Sequence, residues 1–130
     1  MIKDQILSEQ VFSINRAMLK QYADASGDQN PIHQDEAFAK SVGLPDVIAH
    51  GMLTMALVGK YVSQVAGGSA NVLELGGRFT KPVIVPAGEE VDLTVSATVT
   101  DVVDGKISLS LSATSAGVKV LGMAKAVIAQ

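Results

Sequence analysis

The chain of 130 residues holds two histidines, and both fall in one chemically dense region. It reads Ser26-Gly27-Asp28-Gln29-Asn30-Pro31-Ile32-His33 and resumes at Ala49-His50-Gly51-Met52-Leu53-Thr54. Asp28 and His33 stand five residues apart across Asn30-Pro31, a turn that can aim both at one small volume. Gly51 opens a long apolar segment and offers a backbone N–H that no Cβ screens. A carboxylate, an imidazole and a helix N-terminus are the parts needed to move a proton beside a carbonyl. Each also has a plainer role. Asp28 can close a turn, His33 can be an ordinary side chain of a helix start, and His50-Gly51 can be a cap with close backbone packing. The residues alone leave both readings open. A metal set of His33, Asp35 and His50 matches no standard zinc spacing, and none is expected. There is no G-x-S-x-G, no phosphate loop and no dinucleotide fingerprint, and neither Ser26 nor Thr54 is marked as an activated nucleophile.

The elements that must position these residues change period along the chain. Asn15 predicts the cap of a first helix from Arg16 to about Ala25, ended by Ser26-Gly27-Asp28. Asn30-Pro31 predicts a second, short helix to about Ser41. His33 would be its third residue, where the helix dipole favours a neutral imidazole. Gly43 to Asp46 reads as a loop. A long, fully buried helix is expected from His50-Gly51 to about Ala66, stopped by Gly67-Gly68. Strand patterns follow. One runs from Val72 to Leu75, breaks at Gly76-Gly77 and resumes from Phe79 to Val85. Two cleanly alternating runs, Val91 to Val99 and Ile107 to Ala113, flank the hairpin signal Asp104-Gly105. Gly117 precedes a last strand, Val118 to Ile128, and Val11 to Ile14 suits an edge strand. An alternating antiparallel sheet has one dry face, and the apolar helix is the only large element able to cover it. The expected fold is α+β, a hotdog sheet wrapped around one central helix, forming a single domain over 1–130.

Composition narrows the function classes. Hydrophobic residues make up 48% and aromatics 4%, so the core is aliphatic. A mean hydropathy of +0.32 requires either full burial of the helix or apolar surface hidden in a dimer. The net charge of −3 and the lack of any basic run give no support for nucleic-acid binding. The absence of cysteine removes thiol catalysis, disulfides and thiolate metal sites. Val47 to Ala66 carries His50, Lys60 and Gln64, so it reads as a buried helix and no membrane span is expected. The first residues lack the apolar core of a signal peptide, which makes a cytoplasmic location the expectation.

Tyr22 to His33, Gly43-Leu44-Pro45 and Ile48 to Leu53 together resemble the MaoC-like family of (R)-specific enoyl-CoA hydratases and 3-hydroxyacyl-thioester dehydratases. The D-x-N-P-x-H element of that family is complete in Asp28, Asn30, Pro31 and His33. The likeness is strong over about residues 22–59 and looser from Arg78 to Val83 and beyond. It is nearest to short, single-hotdog members, some of them homodimers and others catalytic subunits paired with a second hotdog chain. The resemblance implies that Asp28 and His33 form a catalytic dyad and that Asn30, with Pro31, holds its turn. It implies that Gly51 gives its N–H to the thioester carbonyl, and His50 beside it then reads as the residue that positions Gly51 at the helix start. It also implies reversible hydration of a trans-2-enoyl thioester of CoA or acyl carrier protein in fatty-acid metabolism, a hydro-lyase reaction with no cofactor. Gly59 stands where some members place a supporting Ser. Met52 and Thr54 are candidates for substrate contact, and Arg78, Lys81 and Lys60 for CoA phosphates, though these charges also read as solvated surface. Two alternatives remain, a hotdog thioesterase and a non-catalytic hotdog subunit. The first suits a helix acid that Thr54 to Ala66 lacks, and the second leaves Asp28 and His33 without a purpose.

Overall fold

A computed structural model describes residues 1–130. One antiparallel sheet carries the fold, in the order β1 (Gln10–Ile14), β3 (Val91–Val103), β4 (Lys106–Ser115), β6 (Leu121–Ala129), β2 (Val72–Phe79). The two-residue β5 (Val118–Lys119) pairs only with β4. Alternation sorts the two faces. Leu93, Val95, Ala97 and Val99 on β3 turn inward beside Ile107, Leu109, Leu111 and Ala113 on β4. The hairpin between these strands turns on Asp104 and Gly105, at φ 53° and 75°, the primed geometry that matches strand twist. The helix α3 (Gly51–Val65) lies against the dry face through Leu53, Thr54, Val58, Tyr61 and Val62.

Several expectations need correction. The helix α3 is buried along that one stripe only, because the sheet covers only one side of it, and Met52 is 60% exposed. The segment after Asn30 is not one helix. A single 3₁₀ turn, Pro31–His33, is followed by α2 (Glu36–Ser41), because the Asp35 side chain accepts from the Phe38 N–H and starts a new helix. Gly76-Gly77 does not interrupt β2, which runs through both with a bulge. Gly77 packs so close to Ala124 that a Cβ there would come within 3.2 Å of it. Phe79 ends β2, and the strand does not resume over residues 80–85. Pro82 and Pro86 remove ladder donors, and only an isolated bridge between Ile84 and Ile48 remains. The last strand is split at Val120, whose N–H turns to the Ala113 carbonyl at 3.0 Å.

The segment that leads into His50 is held by three ties. The first helix, α1 (Arg16–Ser26), is capped by the Asn15 side chain and closed by Gly27 at φ 80°. From its first residue, Arg16 donates to the Val85 carbonyl at 2.6 Å and pairs with Asp46 at 2.9 Å. The Ala49 N–H bonds Val83 O at 2.9 Å and the Val85 N–H bonds Val47 O at 2.8 Å. Residues 47–49 therefore enter α3 on a fixed path. Breaking the part-buried Arg16 fork leaves both Asp46 and the Val85 carbonyl short of a donor. Arg16→Ala should lower unfolding free energy by about 2 kcal/mol in urea titration. A loss within about 0.5 kcal/mol, the usual range of surface changes, would refute this role.

Candidate active site

The turn that presents the first acid is built locally. Asp28 Oδ1 accepts from the Asn30 N–H at 3.2 Å, and Asn30 Oδ1 accepts from the Ile32 N–H at 3.2 Å. Pro31 then sets the first residue of the 3₁₀ turn that ends at His33. Asp28 is exposed, whereas His33 is 7% exposed. One carboxylate oxygen of Asp28 and one ring nitrogen each of His33 and His50 lie within 4.8 Å of one another. The sequence-predicted Asp28 and His33 are thus brought together, with His50 as a third member.

The proton on His33 has a definite place. Its Nδ1 lies 2.7 Å from the Ile48 carbonyl oxygen, which can only accept. Nδ1 therefore carries a hydrogen, and in the neutral ring Nε2 is the nitrogen with the lone pair. A three-residue turn ending at His33 supplies no helix dipole, which corrects the expectation from sequence.

His50 is 1% exposed and its ring does not cap α3. Nε2 donates to the Asp28 backbone carbonyl at 3.1 Å, and the buried Nδ1 has no partner. The ring stacks on His33 with centroids 3.9 Å apart and planes 22° apart, and meets Tyr22 edge-on at 4.7 Å. Burial pulls its pKa below the usual histidine value, the Asp28 carbonyl opposes that, and the neighbouring His33 adds to it. The three ligand-type side chains do not form a convincing ion cage. Nδ1 of His33 and Nε2 of His50 are held by carbonyls, and near-parallel stacked rings cannot converge two in-plane lone pairs on one ion about 2 Å from each. Asp35, in the set weighed from sequence, instead caps α2.

A cavity of about 330 Å³ opens on His33 and Gly51, walled by Thr54, Phe79, Lys81 and Val120 among others. Gly51 is the first residue of α3, where backbone N–H groups lack helical partners. Its missing Cβ is used by packing as well, since a Cβ there would stand 3.1 Å from the Phe79 ring. Thr54 and Lys81 line this space, whereas Met52 and Arg78 do not. Met52 faces outward, and Arg78 reaches the Met123 sulfur at 3.8 Å. Gly59 faces Leu75 of β2 at ordinary packing distance. Sequence reasoning missed Phe79 and Tyr22. Phe79 read as a strand residue, and only its place next to the Thr80-Lys81-Pro82 irregularity hinted at more. Nitrogen-detected NMR should show His33 as the Nδ1–H tautomer at neutral pH. A dominant Nε2–H form would contradict the bond to Ile48.

Three comparisons set this arrangement among known proteins. Residues 1–119 match the MaoC like domain. Dehydratase X of Mycobacterium tuberculosis, a 3-hydroxyacyl-thioester dehydratase, is 40% identical over 77 residues, 59% of this chain and 26% of its own length. A solved MaoC-like dehydratase superposes with a TM-score of 0.95 and 34% identity over 99% of this chain and 40% of its own. The R-hydratase PhaJ1 of Pseudomonas aeruginosa gives 0.83 and 30% over 99% of this chain and 82% of its own. The match to dehydratase X thus spans about a quarter of that relative's length. A hotdog sheet and helix, a complete D-x-N-P-x-H turn and these likenesses agree: the chain belongs to the MaoC-like family.

Proposed function

We propose that the protein is a hydro-lyase that reversibly adds water to trans-2-enoyl thioesters, giving (3R)-3-hydroxyacyl thioesters in fatty-acid metabolism. The observation that carries this is the His33 ring, tied through Nδ1 to Ile48, within reach of the Asp28 carboxylate and lining the same cavity as Gly51. A water held between Asp28 and His33 attacks C3. Its proton passes to Nε2 as the electron pair moves through C2 toward the thioester oxygen. The N–H of Gly51, at the positive end of α3, meets that developing charge, a contribution of about 3 kcal/mol for one well-placed donor. The proton then returns to C2 on the same face, and the sum is one water added. Lys81 stands at the cavity wall, where a CoA or carrier-protein phosphate would be met. The R stereochemistry follows the R-hydratase relative.

The thioesterase alternative has less support. The buried stripe of α3 contains no carboxylate. Purified protein given crotonyl-CoA should bleach the conjugated-enoyl absorbance without releasing thiol. Thiol release with the absorbance kept would favour the thioesterase, and silence in both, across acyl lengths, the non-catalytic subunit. Asp28→Asn and His33→Ala should each lower kcat by about 10²–10⁴-fold, the usual share of acid–base catalysis. Full activity in either variant would remove that residue from the mechanism.

The site is proposed to be completed by a second hotdog chain, in the first place a second copy. Asp28 is exposed, so its water would otherwise stand open to solvent. The free edge strand β2 bears the exposed Leu73, Leu75 and Phe79. Glu74 and Arg78 lie two residues either side of Gly76, so antiparallel pairing about Gly76 sets Glu74 against the partner's Arg78. Light scattering should report a dimer that Glu74→Arg weakens, and Glu74→Arg with Arg78→Glu should restore it. A monomeric wild type would leave a different hotdog chain as the partner, as in the ChsH1-ChsH2 complex, a fold-level likeness. No helix is long and apolar enough to cross a membrane.

A further inference from the structure

His50 is a buried titratable group beside the site that the hydration mechanism leaves unused, and its bonding is unlike that of its neighbours. Residues 27–30 carry the Asp28 carboxylate on an exposed loop. Their local bonds are short-range. Gly27 N–H goes to Ala23 O, Asp28 N–H to Ser26 Oγ, Gln29 Nε2 to Asp24 and Asn30 N–H to Asp28 Oδ1. The Ile32 and His33 N–H groups return to Asn30, and Gln34 donates to Gln29. None of these reaches further than five residues along the chain. The one long-range hydrogen bond to the loop comes from His50 Nε2, 22 residues away, onto the Asp28 carbonyl. The same ring stacks on His33, and its backbone follows the Ala49–Val83 bond.

We infer that His50 is a positioning residue, a neutral imidazole that tethers the Asp28 loop to the His33 ring and so sets the distance between carboxylate and base. The inference rests on the hydration reading for its catalytic consequence, but the tether itself does not. Donation to the Asp28 carbonyl requires hydrogen on Nε2 and leaves Nδ1 as an acceptor. A second proton would go on Nδ1, which is buried and has no acceptor, and would set a cation 3.9 Å from the His33 ring. The groups that face this ring are Asp28, His33 and Tyr22. Because burial lowers the pKa of His50, the unfolded chain binds a proton that the folded one refuses. Stability should therefore fall as pH drops below about 6.5, down to the lowered folded value.

Two variants test the tether. His50→Phe keeps a flat buried ring without the donor, and His50→Gln can place an amide N–H near the position of Nε2. His50→Phe should keep the wild-type Tm or exceed it, lose kcat by about tenfold or more and leave KM within about twofold, the pattern of a lost transition-state geometry. His50→Gln should recover most of that kcat. Wild-type kcat in His50→Phe, or no recovery in His50→Gln, would overturn the inference. Amide hydrogen exchange gives a readout independent of turnover. Residues 27–30 should exchange faster in His50→Phe than in wild type, and His50→Gln should restore protection. Unchanged exchange in His50→Phe would overturn the tether. Should wild type hydrate no enoyl thioester while exchange behaves as stated, the functional reading fails and the tether stands.

Discussion

The backbone of Ile48 is the constraint on which the site depends. Its N–H bonds Ile32 O at 3.2 Å and its carbonyl accepts from His33 Nδ1 at 2.7 Å. The two peptide planes that meet at Ile48 therefore hold the backbone before His33 and the orientation of its ring. Neither plane can rotate freely, because the Val47 carbonyl in the first accepts from Val85 and the Ala49 N–H in the second donates to Val83. A buried carbonyl without its donor would cost about 1–3 kcal/mol, so the ring has a strong reason to stay where it is. The consequence is an Nε2 lone pair that points away from Ile48 and remains available for chemistry.

This chain builds its polar centre from neutral parts. The buried polar side chains are His33, His50, Thr54 and Ser115, with the Tyr61 hydroxyl bonded to the Ser8 carbonyl, and no Asp, Glu, Lys or Arg is buried with them. The carboxylate of the site, Asp28, stays at the surface. The histidines go inside, where neutrality is cheap and hydrogen bonds to carbonyls are strong. An exposed carboxylate thus stands beside buried imidazoles, and the backbone around Ile48 and Asp28 connects them. The arrangement also leaves Asp28 open to solvent, and the free edge of β2 carries the exposed Leu73, Leu75 and Phe79.

Aliphatic packing suits such a site. With aromatics at 4% the core is made of branched side chains and alanines that alternate along β3, β4 and β6. These give a rigid sheet with a smooth inner face, on which α3 rests by a single stripe. The first turn of α3 is then left beside irregular chain, residues 80–85, and the cavity lies between them. A regular strand there would have closed its own hydrogen bonds and left no such opening.

Local chemistry was legible in the sequence wherever it depended on near neighbours. The Asn15 cap, the Gly27 stop, the Asp104-Gly105 hairpin and the Asn30-Pro31 turn each follow from side chains that bond backbone a few residues away. The alternation of β3 and β4 likewise follows from a period of two and a need for one dry face. The D-x-N-P-x-H turn placed Asp28 near His33 for the same local reason. Misreadings arose where distant chain decides. Asp35 ends one helical run by capping the next, and Gly76-Gly77 stays in a strand because β6 lies beside it. Phe79 settles on Gly51 across 28 residues, a contact that no periodicity encodes. The role of His50 shows the division best. Beside Gly51 in the sequence it looks like part of a helix start. Only folding turns its ring away from α3, onto His33 and the carbonyl of Asp28. Sequence determined which groups could do chemistry, because that is a property of side chains. Tertiary structure alone decided which nitrogen holds which proton, because that depends on carbonyls brought from 15 and 22 residues away.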